Sequence, residues 1–194
     1  MPSLSIDAPI MAPHRKFTVE DFHRLGETGI LGEHDRVELI EGELIDMAPI
    51  GPVHACLVSL LVRRLGYGTE GRAIPWPQNP IRLGHRSEPQ PDFALLRYRS
   101  DAYKEALPTA DDVLLLVEIA DSSMGYDRDV KVPLYARHGI PEYWIIDIPD
   151  RRIEVHREPD SDQGCYRERR IVCEGSLAPV RFPDISVDLA ELLH

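Results

Sequence analysis

Two carboxylates in this chain occupy positions where an ionised group is costly. Glu118 follows Leu114-Leu-Leu-Val117 at the carboxyl end of the most apolar run, and Asp92 follows Pro91 at the head of Phe93-Ala-Leu-Leu96. A carboxylate buried alone is strongly disfavoured, so Glu118 must be paired or must hold a metal. The ordinary explanations are a salt bridge from Glu118 to Arg128 or Lys131, and a turn-capping role for Asp92 at a strand start. Together the two residues say more, because successive strands can bring them to one side of a sheet, within reach of one hard cation. Mg²⁺, or Mn²⁺ in its place, suits one or two carboxylates completed by water and phosphate oxygens. Asp92 and Glu118 are therefore the predicted metal ligands.

Lys131 is the next candidate. The chain carries three lysines, Lys16, Lys104 and Lys131, among nineteen arginines, so a lysine thirteen residues beyond Glu118 points to a compact charge, although a solvated helix face explains it nearly as well. Beside a metal, such an ammonium orients water and stabilises charge on a phosphate in transition. Glu38, in Arg36-Val-Glu-Leu-Ile40, is a further candidate carboxylate or else an exposed strand residue. His54 opens an amphipathic run, where a lone histidine is more often a cap or packing group than a catalyst.

Other chemistries lack their signatures. The sequence has no GxxxxGK[ST], no GxGxxG after a strand, no GxSxG and no HExxH. Ser122 and Ser123 have no convincing base and read as loop-shaping residues. Cys56, Cys165 and Cys173 are odd in number without a CxxC, which argues against zinc and disulfides and leaves three small hydrophobes, expected buried in a reducing compartment.

The elements that must position these groups follow from patterning. Thr18 and Asp21 form a capping box ahead of a short helix over 19–25, closed by Gly26. Two alternating runs around Glu41-Gly42 predict a hairpin. Val58, Leu61, Val62 and Leu65 mark the main amphipathic helix, from His54 to just before Gly66. The proline-interrupted stretch 73–83 predicts an edge strand, 91–96 a short strand, 101–107 a turn or two of helix, and 113–119 a strand buried on both faces. A helix between Tyr126 and His138 must either start near Val132 with Pro133 in its first turn or kink there. Strands at 143–147, 152–156 and 166–172 and a closing helix over 187–193 complete one α/β domain with a mixed sheet. Residues 1–16 read as a flexible arm, and 17–194 as the domain.

Composition bounds the function. With 33 acidic and 22 basic residues among 194 and a formal charge of −11, the chain is no histone-like binder, since neutralising phosphates needs local Lys and Arg. No apolar run nears the ~18 residues of a membrane helix, and the N-terminus has no secretory core, so no membrane association and a cytoplasmic location are expected.

Phe17-Thr-Val-Glu-Asp-Phe22, Val37-Glu-Leu-Ile-Glu-Gly-Glu-Leu44, His54, Gln90-Pro-Asp92, Val117-Glu118 with Ser122-Ser123, Tyr126-Asp-Arg, Lys131-Val-Pro-Leu-Tyr-Ala136 and Gly139-Ile-Pro-Glu-Tyr-Trp-Ile-Ile-Asp147 come in one order. In that order the chain resembles the Uma2 family of the PD-(D/E)XK nuclease superfamily over residues 17–193. The resemblance implies a restriction-endonuclease-like fold, a mixed β-sheet flanked by helices, often as a homodimer. It implies that Asp92 is the PD aspartate and Glu118 the second acid, while the superfamily lysine position holds Ala120. Lys131 then looks like a migrated replacement and Glu38 like the additional acid. The expectation is a Mg²⁺-dependent endonuclease acting on DNA, with Asp92, Glu118, Lys131 and Glu38 in its active site. Its rivals are a catalytically silent nucleic-acid- or protein-binding module, and a metal-dependent hydrolase of small phosphoesters.

Overall fold

A computed structural model describes residues 14–32 and 34–193. Most of the expected arm at 1–16 lies outside these residues, but Lys16 and Phe17 are already tied to the domain. Helix α1 (Val19–Glu27) opens on the Thr18–Asp21 capping box and runs through Gly26 to a cap at Thr28. Strands β1 (Val37–Ile40) and β2 (Glu43–Asp46) form the expected hairpin, with Glu41 and Gly42 both at positive φ, the backbone a two-residue hairpin turn requires. Gly42 is needed twice over, since a side chain there would also meet Lys16 Cβ at 2.6 Å.

Helix α2 (Pro52–Leu61) begins two residues before His54, with Pro52 in its first turn where a missing N–H costs nothing. It does not stop before Gly66 as expected. A π-helical turn, Val62–Gly66, carries the backbone on to Gly68. The glycines allow close packing there: a Cβ on Gly66 would stand 3.1 Å from Pro75 Cβ, and one on Gly68 2.8 Å from Ile185 Cγ2.

The centre is a six-stranded sheet in the order β3 (Ala73–Pro77), β4 (Phe93–Arg97), β5 (Val113–Ala120), β6 (Glu142–Asp147), β7 (Arg152–Asp160), β8 (Cys165–Val172). The β5–β6 pair is parallel and every other pair antiparallel. A parallel pair needs a crossover, supplied by α3 (Met124–Tyr126), a π-helical turn (Asp127–Lys131) and α4 (Val132–Arg137). The π turn resolves the Pro133 problem. Val132 N–H reaches back to the Asp127 carbonyl, and the widened turn lets the helix continue into the proline.

Every residue of β5 and β6 is buried because both faces are covered. On one face Leu115, Val117 and Ile119 pack with Leu57 and Leu61 of α2 and Leu65 of the π turn that follows it. On the other, Leu116, Ala120, Tyr143 and Ile145 pack with Leu134, Tyr135 and Ala136 of α4. Side chains alternate along a strand, so Glu118 falls on the α4 face.

Three expectations are corrected. Residues 101–107 form turns rather than helix, because Ala102 and Tyr103 are left-handed while the buried Tyr103 hydroxyl donates to the Arg97 carbonyl at 2.9 Å. The closing helix is shorter: Val187–Asp188 (β10) pairs with Ser176–Leu177 (β9) before α5 (Leu189–Leu193) begins. All three cysteines are exposed: Cys56 on the outer side of α2, Cys165 at the head of the edge strand β8, and Cys173 just past its end.

His156 on β7 is 4% exposed, lies between the rings of Tyr143 and Tyr166, and its Nε2 makes no hydrogen bond. Burial lowers its pKa to about 4. The folded state thus keeps it neutral while an unfolded chain takes up a proton below 6.5. Stability should be full above pH 6.5 and fall by about 3 kcal/mol as pH drops to 4. Urea titrations at pH 7 and pH 4.5 should show this loss, and His156→Phe should flatten it.

Candidate active site

Antiparallel pairing of β4 with β5 sets Phe93 opposite Val117, which brings Asp92 and Glu118 face to face one step further on. The two groups lock reciprocally. Asp92 Oδ2 accepts the Ile119 N–H at 2.8 Å, and Asp92 N–H points at Glu118 Oε2 at 3.4 Å. Both are buried, at 9% and 4% exposure.

Glu118 Oε1 accepts from Lys131 Nζ and from the Tyr135 hydroxyl, each at 2.8 Å. Lys131 and Tyr135 are four residues apart in the crossover helix, so they share the face turned to the sheet. Lys131 Nζ also lies 3.3 Å from Glu38 Oε1, while Glu38 Oε2 accepts the Gln90 N–H at 3.1 Å. Of the two cations proposed as partners of Glu118, Lys131 is the one that reaches it. Arg128 turns away to Glu154. Glu38 is buried rather than an exposed strand residue. All four predicted residues, Asp92, Glu118, Lys131 and Glu38, line one cavity of about 530 Å³.

Three further residues join this cluster, of which His54 and Asp127 line the cavity and Tyr135 stands buried behind it. His54, in the first turn of α2, places Nε2 3.0 Å from Asp92 Oδ1, and its Nδ1 is buried without a partner. Asp127 is buried and accepts from Ser123 Oγ at 2.7 Å. Tyr135 completes the set. The spacing of Asp127, Lys131 and Tyr135 on one helical face was a usable signal, whereas nothing local in the sequence pairs His54 with Asp92.

Charge crowding sets the protonation states. Burial pushes the Glu118 carboxyl well up, and the charges of Asp92, Asp127 and Glu38 add to this while Lys131 opposes it. Burial likewise raises Asp127 against the pull of Lys131. Burial alone would lower Lys131, but Glu118, Glu38 and Asp127 outweigh it and the ammonium is firmly held. Burial, then Glu118, raise Tyr135 well above 10, so its hydroxyl remains a donor.

The cavity wall carries the carboxylates of Glu38, Asp46, Asp92, Glu118, Asp121 and Asp127 against the basic groups of Arg36 and Lys131. That excess of hard oxygen donors suits a divalent cation such as Mg²⁺. Among the described residues no three His, Cys, Asp or Glu side chains form a ready-made cage. The donor set fits an ion held by Asp92 and Glu118 and completed by water and substrate, the usual habit of Mg²⁺.

Removing one partner of a buried ion pair leaves an uncompensated charge. Lys131→Ala should therefore destabilise the protein by about 3–5 kcal/mol in urea unfolding at pH 7. Lys131→Met combined with Glu38→Gln should recover part of the loss, because less negative charge is then stranded.

The family model for Uma2, described as a putative restriction endonuclease, matches residues 19–190. No curated protein matches. Among solved structures, a putative nuclease belonging to DUF820 from Anabaena variabilis superposes with a TM-score of 0.71 at 17% identity, covering 91% of this chain and 97% of its own. At that identity the likeness establishes the fold, a mixed sheet flanked by helices. No described helix is long and apolar enough to cross a membrane. With the model spanning nearly the whole domain and the acid pair of its sheet brought together, this chain belongs to the Uma2 family.

Proposed function

We propose that the protein is a Mg²⁺-dependent endonuclease, with Mn²⁺ as an effective substitute, that hydrolyses phosphodiester bonds of DNA. The observation that carries this reading is the convergence of Asp92 and Glu118 on one cavity wall, with Lys131 bonded to Glu118. Family membership and the nuclease-like fold agree with it.

Asp92 and Glu118 would hold the ion. When bound, it supplies positive charge to the scissile phosphate and makes a nearby water easier to deprotonate. The protein's part is to fix the donors. Ile119 N–H and His54 hold the two oxygens of Asp92, while Lys131 and Tyr135 hold Oε1 of Glu118 and leave Oε2 turned toward Asp92. An ammonium has three donors, of which one bonds Glu118 while Glu38 lies at ion-pair distance, 3.3 Å away, so at most two face these acids. In this reading the third orients the attacking water or a phosphate oxygen, so Lys131 serves structure and chemistry together. A C₂ homodimer is the arrangement we expect if both strands of a duplex are cut, and light scattering at micromolar concentration tests it.

The decisive assay sets plasmid, single-stranded DNA, RNA and a nitrophenyl phosphodiester against Mg²⁺, Mn²⁺ and EDTA. Cleavage of DNA with Mg²⁺ and none with EDTA is expected, and hydrolysis of the small ester alone would replace a nuclease by a phosphoesterase. Metal binding should also stabilise the folded chain by ~2.7 kcal/mol at a hundredfold excess over Kd. Asp92→Asn should fold, lose most of that shift and lose cleavage. A wild-type melting temperature unmoved by divalent ions would overturn the metal site.

A further inference from the structure

Beside the acidic cavity lies a second, apolar one of about 250 Å³, and the two share Val53 and Ile148 in their walls. We infer that this groove is a base-binding subsite for an unpaired nucleotide of the strand being cut. The inference rests on the nuclease reading and narrows its substrate to single-stranded or locally unpaired nucleic acid.

Continuity is the first argument. The groove runs from the mouth of the carboxylate cavity along α2, past Cys56 and Leu60 with the buried Leu57 at its floor, to Leu192 and Leu193 on α5, where Glu191 is its one charged lining residue. A strand whose phosphate sits at Asp92 and Glu118 meets this apolar wall where it leaves the cavity past Val53 and Ile148. Val53 is 60% exposed and Cys56 is exposed, so this is open surface rather than core.

Charge is the second. At the α5 end of the groove Arg63 and Arg64 both pair with Glu191, two guanidiniums to one carboxylate, and both are about half exposed. Ten residues of helix separate His54 from Arg64, about 15 Å at 1.5 Å per residue. The surface thus offers an ion site, an apolar wall and a net positive charge in sequence, the alternation of phosphate and base along a single strand.

Base pairing decides the strand state. A paired and stacked base shows a protein only its edges, whereas an unpaired one can lay its face on apolar side chains. A duplex would instead need many phosphate contacts from a basic surface, and the chain carries −11 net charge with an acid-rich cavity wall.

Cys56 is a reporter already in place. In full-length protein carrying Cys165→Ser and Cys173→Ser, the rate of Cys56 alkylation is followed in Ca²⁺ or EDTA with a short oligothymidylate or a hairpin duplex of equal phosphate content. The single strand should slow alkylation and the duplex should not. Cys56→Glu should keep its melting temperature and weaken single-strand affinity measurably, because it adds a second carboxylate to a groove that Glu191 already lines. Arg64→Ala should lower the slope of log affinity against log salt by about 0.7. Equal protection by duplex, or none by either, overturns the subsite whether or not DNA is cleaved. Protection that grows with protein concentration without nucleic acid assigns the groove to a second copy and also overturns it. Protection by the single strand in a protein that cleaves nothing would uphold the subsite and sink the nuclease reading instead.

Discussion

Everything around the candidate site is arranged to keep one carboxylate buried in the floor of the sheet. Glu118 sits on β5, whose other residues are wholly buried, and it is tolerated because Lys131 and Tyr135 both donate to Oε1. Burying an ion pair gains little by itself, since desolvation consumes most of the attraction. Such a pair is retained for what it holds in place. To supply Lys131 and Tyr135 the crossover helix must lie directly over β5 and β6, and Leu134 and Ala136, flanking Tyr135, pack it there. Glu38 then adds a second carboxylate to the same ammonium, tying the β1–β2 hairpin to the sheet.

The same constraint explains why the site lies at a strand end. Asp92 stands one residue before β4, where the chain has not yet entered the sheet, so it is reached from both layers. Its Oδ2 takes the Ile119 N–H of β5, and its Oδ1 faces His54 from α2 on the opposite face to Lys131. One carboxylate anchored by a cation from one layer and one met by an imidazole from the other leave a cavity between them. Moving either helix would open the donor set before it unfolded the sheet, which makes packing of α2 and α4 a condition of chemistry as well as of stability.

What the sequence made legible follows the range of the forces involved. The Glu41-Gly42 turn, the Thr18–Asp21 box and the unbroken apolar run of β5 are local, and each appears where its residues predict. The proline-rich β3 is an edge strand for the same local reason. The π turns were not readable, because a widened turn is selected by where Pro133 and Lys131 must land after the crossover rather than by any propensity. Gly66 and Gly68 looked like helix stops and serve as contact points for Pro75 and Ile185, partners far off in the sequence. In the site, Asp92 and Glu118 were singled out from the cost of burial, Glu38 only as a further candidate, and Asp127 was missed. His54 was discounted since its meaning depends on Asp92, thirty-eight residues away.

The charge balance links site to substrate. A cavity wall with six carboxylates and two basic groups repels a polyanion, so under the proposed function ion binding and strand binding would reinforce one another. Away from that wall the strand needs contacts that do not depend on the ion, and the described surface nearest to it offers aliphatic side chains followed by Arg63 and Arg64. Aliphatic walls select for exposed bases, and two guanidiniums sharing one carboxylate keep a net positive charge for an exposed phosphate. An acidic protein can therefore hold nucleic acid without a broad basic face, provided the strand arrives unpaired and the acids are screened where its backbone must bend.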